Sequence, residues 1–224
     1  MRLTERYSKE TGREYALRML KDNIIHLDLV PGKLLSENEL SSEMHLSRTP
    51  VREALIELSK VKIVEIYPQK GSAVALIDYK LVEEAIFMRN VLECAVVELA
   101  CKTAGEEAVM ELKDNVKLQE FYLENRSPER LLKLDDEFHR LLFHITGKDQ
   151  VYQLMDSITI HFDRIRSMSL IAVKDLKTVS DHQAIVEAIA AKNGSLAKEL
   201  MEKHLSRYRI DEEALRKEYS GYFL

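Results

Sequence analysis

Helix breakers are scarce in this sequence and fall in a few sharp places. Seven glycines and four prolines punctuate 224 residues. Leu, Glu, Lys and Ala dominate the stretches between them, which therefore favour helix. Pro31-Gly32 closes a first helical pattern, roughly Glu14 to Leu27, whose apolar positions Tyr15, Leu17, Leu20, Ile24 and Leu27 recur at mixed spacings of three and four. Ser36 then stands where an N-cap belongs, with Glu39 three residues on, and this capping-box pattern opens a short helix through about Met44. Ser47 caps the next. Pro50 falls in its first turn, where a missing N–H has no intrahelical partner to lose, so a helix runs from about Arg48 to Lys60. Beyond it the period turns from helical to alternating. Ile63, Val64, Ile66 and Tyr67 lead into Pro68-Gln69-Lys70-Gly71 and then Ala73, Val74 and Ala75, two short strands around a glycine turn.

Three helices and a hairpin within residues 1–77 predict a winged helix-turn-helix. Net charge alone does not point to nucleic acid, because the pI of 5.9 is far from the basic footprint of a nonspecific DNA binder. Residues 1–77 carry 12 Lys/Arg against 11 Asp/Glu, and residues 78–224 carry 21 against 27. The case for DNA rests on placement. Arg48 and Arg52 lie four apart on one face at the start of the second short helix, beside Ser47 and Thr49. That end of a recognition helix enters the major groove, where arginine pairs with guanine or clamps phosphate. Lys70 and Gly71 sit at the wing tip, a cation beside a backbone free to approach phosphate. The competing reading pairs Arg48 and Arg52 with Glu53 and Glu57 on a solvated surface; the whole order of elements favours DNA.

Residues 78–224 read as helix throughout. Breaks at Gly105, Ser127-Pro128, Gly147, around Val173 to Thr178, and at Asn193-Gly194 leave helices over 79–103, 106–124, 128–146, 149–172, 180–192 and 195–219. The fold class is mostly α: a winged head followed by an antiparallel bundle of six or seven helices. Cys94 and Cys101 are seven apart on one helix, about 10.5 Å along its axis, too far for a disulfide. No window approaches the ~18 apolar residues of a membrane span, and the N-terminus lacks the apolar stretch of a signal peptide, so a cytoplasmic protein is expected.

Polar residues interrupting the apolar faces of the bundle are candidate ligands. Asp135 and His139 are four apart and share a face, while Asp136 points about 100° away. His182 opens the fifth bundle helix and His204 lies inside the sixth. One carboxylate and three neutral imidazoles suit zinc best, with nickel or manganese as alternatives. His26, His45, His144 and His161 are expected to be ordinary surface or core residues.

Two resemblances join these readings. The run PGKLLSENELSSEMHLSRTPVREALIEL followed by YPQKGSAV resembles the N-terminal domain of GntR-type bacterial transcription regulators. It implies DNA contact by Ser47, Arg48, Thr49, Arg52, Lys70 and Gly71. Asn38 stands where some relatives carry arginine and is carried over only as a neutral phosphate contact. The second part resembles the FadR-type C-terminal (FCD) ligand-binding domain, through MRNVLECAVVELA, LDDEFHRLLF and SDHQAIVEAI, with His204 at 22 residues after His182. That likeness implies that the helices converge and that Asp135, His139, His182 and His204 form the metal set of the metal-binding branch.

The combined expectation is a repressor that dimerises on a palindromic operator and is released by a small carboxylate. The acid fills open metal positions in an apolar cavity, with Arg89 as the first candidate anion contact and Arg164 and Arg166 behind it. Arg89 also stands four residues before Glu93, so an intrahelical pair is expected beside that role. Two alternatives stay open: a purely structural metal, and a hydrolytic or isomerase metal centre.

Overall fold

The computed structural model describes residues 1–172, 177–206 and 208–224. Two compact units emerge, Met1–Leu81 together with Arg216–Leu224, and Val82–Leu215.

The first unit contains α1 (Gly12–Ile25), β1 (Leu34–Leu35), α2 (Glu37–Glu43), α3 (Arg48–Lys60), β2 (Val64–Tyr67) and β3 (Gly71–Val74). Helix α1 starts two residues ahead of the expected Glu14 because Thr11 and Glu14 form a complete capping box. The Glu14 N–H donates to Thr11 Oγ1 at 3.2 Å, and the Thr11 N–H to Glu14 Oε2 at 2.7 Å. At Ser36 only the forward half of the anticipated box forms, from the Glu39 N–H at 3.4 Å. Helices α1 and α3 pack together through Ala16, Met19, Leu20 and Ile24 against Val51, Ala54, Leu55 and Leu58, all buried.

The anticipated hairpin gains a third strand. The sheet order is β1-β3-β2, antiparallel throughout, with Leu34 opposite Ala73 and Val64 opposite Val74. Two residues are too short a run to show an alternating pattern, which is why β1 has no sequence signal. Gly32, at φ +81°, turns the chain into that register and donates its N–H to the Val74 carbonyl at 2.8 Å. The chain terminus also joins this unit. Ile77 bridges in parallel to Phe223, taking the Leu224 N–H at 3.1 Å and giving its own to Tyr222 at 2.8 Å. The Arg216 guanidinium lies 4.7 Å from the Tyr79 ring centre.

The second unit is built from α4 (Tyr79–Thr103), α5 (Glu106–Glu124), α6 (Pro128–Ile145), α7 (Asp149–Ala172), α8 (Lys177–Ala190), α9 (Gly194–Leu205) and α10 (Tyr208–Glu218), of which the first and last run into the other unit. Of the break expected around 173–178, residues 173–176 lie outside the described residues, and Lys177 and Thr178 are already helical. His182 therefore sits inside α8 rather than at its start. The single helix expected over 195–219 is two, α9 and α10, with Ser206 as the C-cap of α9 and no glycine or proline to announce it. The core gathers Phe138, Leu142, Phe143, Ile185, Ala197 and Met201. Helix α5 packs on both α6 and α8, which brings together residues over sixty apart in sequence. Cys94 and Cys101 are free and buried. Among the described residues no helix is long and apolar enough to cross a membrane.

Candidate metal centre and DNA-reading face

Helix α6 buries an apolar stripe of Leu131, Leu132, Phe138 and Leu142, and Asp135 and His139 fall within it. The same 3.6-residue period that buries the leucines thus drives a carboxylate and an imidazole into the bundle. Phe138 stacks on the His182 ring of α8 at 4.0 Å. His204 arrives from α9. One donor atom from each of Asp135, His139, His182 and His204 lies within 4.8 Å of all the others.

The three histidines meet through Nε2, at 3.3 Å between His182 and His204 and 3.3 Å between His204 and His139. His182 Nε2 is 3.4 Å from Asp135 Oδ1, and His139 Nε2 is 3.9 Å from Asp135 Oδ2. A divalent ion bound at about 2.0–2.1 Å separates neighbouring donors by roughly 3.0–3.4 Å, so this spacing fits one.

The outward nitrogens face acceptors. His139 Nδ1 is 2.5 Å from Glu93 Oε2, a close contact between two buried groups. His204 Nδ1 faces Asp181 Oδ2 at 3.6 Å, and His182 Nδ1 lies 2.8 Å from Gln119 Oε1. These partners favour the proton on Nδ1 and leave Nε2 lone pairs converging on one point, an arrangement that a cation satisfies. Burial lowers the pKa of all three imidazoles. His204 falls to about 4, at His182 the neighbours His204 and His139 add to the effect of burial, and at His139 the Glu93 carboxylate partly opposes the shift. All three are neutral at neutral pH, as ligation requires.

Beside the cluster lies a cleft of about 20 Å³, room for about one water. It is lined by Arg89, Arg166, His139, Tyr152, Asp136 and Asp163 among others, so this cleft is small and charged. Arg89 Nε holds Glu93 Oε1 at 2.6 Å, the anticipated i, i+4 pair, with both side chains buried. Burial pushes the Glu93 carboxyl up, but Arg89 and then His139 outweigh it and hold it well below the usual range. Arg166 reaches Asp136 at 2.8 Å and Asp163 at 2.9 Å and touches Asp135, so Asp136 shares the cleft despite its offset from Asp135. Arg164, two residues before Arg166 and about 200° away around the helix, is fully buried, does not line the cleft, and has its pKa lowered to about 10 by burial.

Glu93, Asn115, Gln119 and Asp181 escaped sequence reading as site residues. The available signal was polarity at apolar-stripe positions: Asn115 and Gln119 flank Val116 on the buried face of α5. Nothing local says which helix that face meets.

On the head, Ser47, Arg48, Thr49, Arg52, Lys70 and Gly71 are all exposed, as is Asn38. Ser47 holds the N-cap position of α3 without a side-chain cap bond, so its hydroxyl stands at the helix N-terminus. Arg52 does not pair within its own helix. Its Nε and Nη2 clasp Glu37 of α2 at 2.8–3.1 Å, while Glu57 pairs with Lys60 and Arg13. Gly71, at φ +97°, completes the wing turn in a conformation that favours glycine.

Residues 13–74 match the family described as bacterial regulatory proteins, gntR family, and residues 84–207 match the FCD domain. The chain is 31% identical over 207 residues to the HTH-type transcriptional repressor RspR of Escherichia coli (strain K12), covering 92% of this chain and 91% of that protein. It is 26% identical over 197 residues to the repressor GlaR of the same organism, covering 84% and 90%. Among solved structures, E. coli McbR/YncC superposes with a TM-score of 0.79 at 18% identity over 93% of this chain and 99% of that one, a likeness of fold. These families and relatives are transcription regulators, which removes the metal-enzyme alternative. The chain belongs to the gntR family of bacterial transcription regulators, with an FCD domain behind its DNA-binding head.

Proposed function

We propose that this regulator is a homodimeric repressor, working on a palindromic operator in the cytoplasm, that a small carboxylate releases from DNA. Residues 1–77 form the DNA-binding domain, and Ser47, Arg48, Thr49, Arg52, Lys70 and Gly71 make the contacts. Residues 78–224 form the effector-binding and dimerisation domain. Asp135, His139, His182 and His204 hold one divalent ion per chain, zinc before nickel or manganese. An organic or sugar acid completes the coordination, with Arg89 and Arg166 as anion contacts and Arg164 the weakest of the three. The observation that carries this reading is the meeting of three Nε2 lone pairs within 3.3 Å contacts beside two cleft-lining arginines. The repressor names of RspR and GlaR support the sign of regulation.

Elemental analysis of protein purified without chelator should find close to one divalent ion per chain, and His182→Ala with His204→Ala should abolish it. Unchanged metal content in that double variant refutes the site. Release requires a ligand that binds the DNA-competent and DNA-incompetent states differently. Hydroxy acids, dicarboxylates and sugar acids are therefore screened by thermal shift with and without chelator, and operator affinity is measured with each hit. The small volume of the cleft favours one second reading, a purely structural metal. Metal-dependent hits that leave operator affinity unchanged would select it.

A further inference from the structure

The His182 ring ends a chain of amide groups that starts on a backbone carbonyl. Asn115 Nδ2 donates to the Leu134 carbonyl at 3.1 Å. Gln119 Nε2 donates to Asn115 Oδ1 at 2.7 Å, and also lies 3.5 Å from the same carbonyl. Gln119 Oε1 is left facing His182 Nδ1 at 2.8 Å. Gln119 and His182 are fully buried, and Asn115 is 7% exposed.

A carbonyl can only accept, so it sets the sense of every link after it. The Asn115 amide must turn its NH2 to Leu134 and its oxygen to Gln119. Gln119 must then turn its NH2 to Asn115 and its oxygen to the ring. A neutral imidazole facing that oxygen must carry its proton on Nδ1, which leaves the Nε2 lone pair toward His204 and Asp135. Leu134 is also the residue before Asp135, so the relay leaves α6 beside one donor, crosses α5, and ends on α8 at another.

We infer that Asn115 and Gln119 are positioning residues for the metal cluster, an amide relay that fixes His182 in the Nδ1–H tautomer so that its Nε2 is presented as a ligand. The part concerning metal rests on the proposed metal site; the part concerning the tautomer does not.

Both parts are tested on the full-length chain. Long-range nitrogen–proton NMR of the imidazoles in metal-free protein near neutral pH should show His182 as Nδ1–H in the wild type. An Nε2–H form there overturns the inference with no variant needed. Gln119→Met, which keeps the length and removes the acceptor, should lose the Nδ1–H form and weaken zinc binding by about 10- to 100-fold, measured by competition with a chelating indicator. Gln119→Glu keeps the acceptor toward His182 but loses the NH2 that Asn115 Oδ1 accepts, so it should recover the Nδ1–H tautomer through the last link and bind zinc more tightly than Gln119→Met, short of the wild type. A merely structural glutamine would show the reverse pattern, in which folded Gln119→Met keeps wild-type tautomer and zinc affinity, and that result overturns the relay. If the wild type shows the Nδ1–H tautomer but binds no zinc, the metal reading fails and the relay stands.

Discussion

Each unit holds an arginine–glutamate pair of nearly the same length, and the two behave as opposites. In the head, Arg52 clasps Glu37 at 2.8 Å with side chains 62% and 30% exposed. In the bundle, Arg89 holds Glu93 at 2.6 Å with side chains 3% and 0% exposed. Water screens the first pair, so its loss costs little and leaves Arg52 available for the DNA contact proposed above. The second pair sits where an uncompensated charge has no solvent to turn to, and Glu93 also faces His139. One chemistry thus serves as an exchangeable contact at a surface and as a fixed frame in a core.

The sharpest way to break this contrast is Glu93→Ala. It removes the hydrogen-bonded partner of the buried Arg89 and the carboxylate facing His139, and should destabilise the full chain by about 3–5 kcal/mol in urea unfolding. A loss of about 1 kcal/mol or less, the range of exposed pairs, would show that the buried pair is no frame.

Acid offers the next largest effect. The folded pKa values of His139, His182 and His204 lie below the ordinary 6.5. As pH falls through that value, the unfolded chain binds protons that the folded chain refuses, so stability is present above it and is lost on the way down. For His204 the loss runs from about 6.5 to about 4 and is on the order of 3 kcal/mol. Unfolding measured in chelator across this window should show the decline, and bound metal should steepen it because ligation needs neutral imidazoles. A flat profile would mean that the three rings are not buried as neutral groups.

The smallest effect on stability belongs to the exposed pair. Arg48→Ala with Arg52→Ala should weaken operator binding by roughly 5- to 150-fold per arginine, and should flatten its salt dependence where phosphate is the target. Thermal stability and metal content should not change. Full operator affinity in the double variant would remove the recognition-helix assignment, whereas a fall in stability would show that Arg52 and Glu37 matter to the fold after all.

Local signals carried the head furthest. Ser47, Pro50 and the spacing of Arg48 and Arg52 all act within one or two helical turns, and the helices they announce are present. The helical period likewise set Asp135 and His139 on one buried face. Even there the local reading stops short, because the partner of Arg52 comes from α2 and not from the adjacent Glu53 or Glu57.

What the amino-acid sequence determined by itself is therefore the order of the helices, most of their ends, and which residues share a face. Cap chemistry, glycine and proline dihedrals and the 3.6-residue period act over a few residues and are written where they act. Tertiary structure alone decided that His182 and His204 meet His139, that Gln119 faces His182, that Leu34–Leu35 adds a strand, and that Phe223 returns to Ile77. Each of these depends on where a different element comes to rest. That position is set by the packing of whole apolar faces and by hydrogen bonds between distant segments, and no single stretch of the chain encodes it.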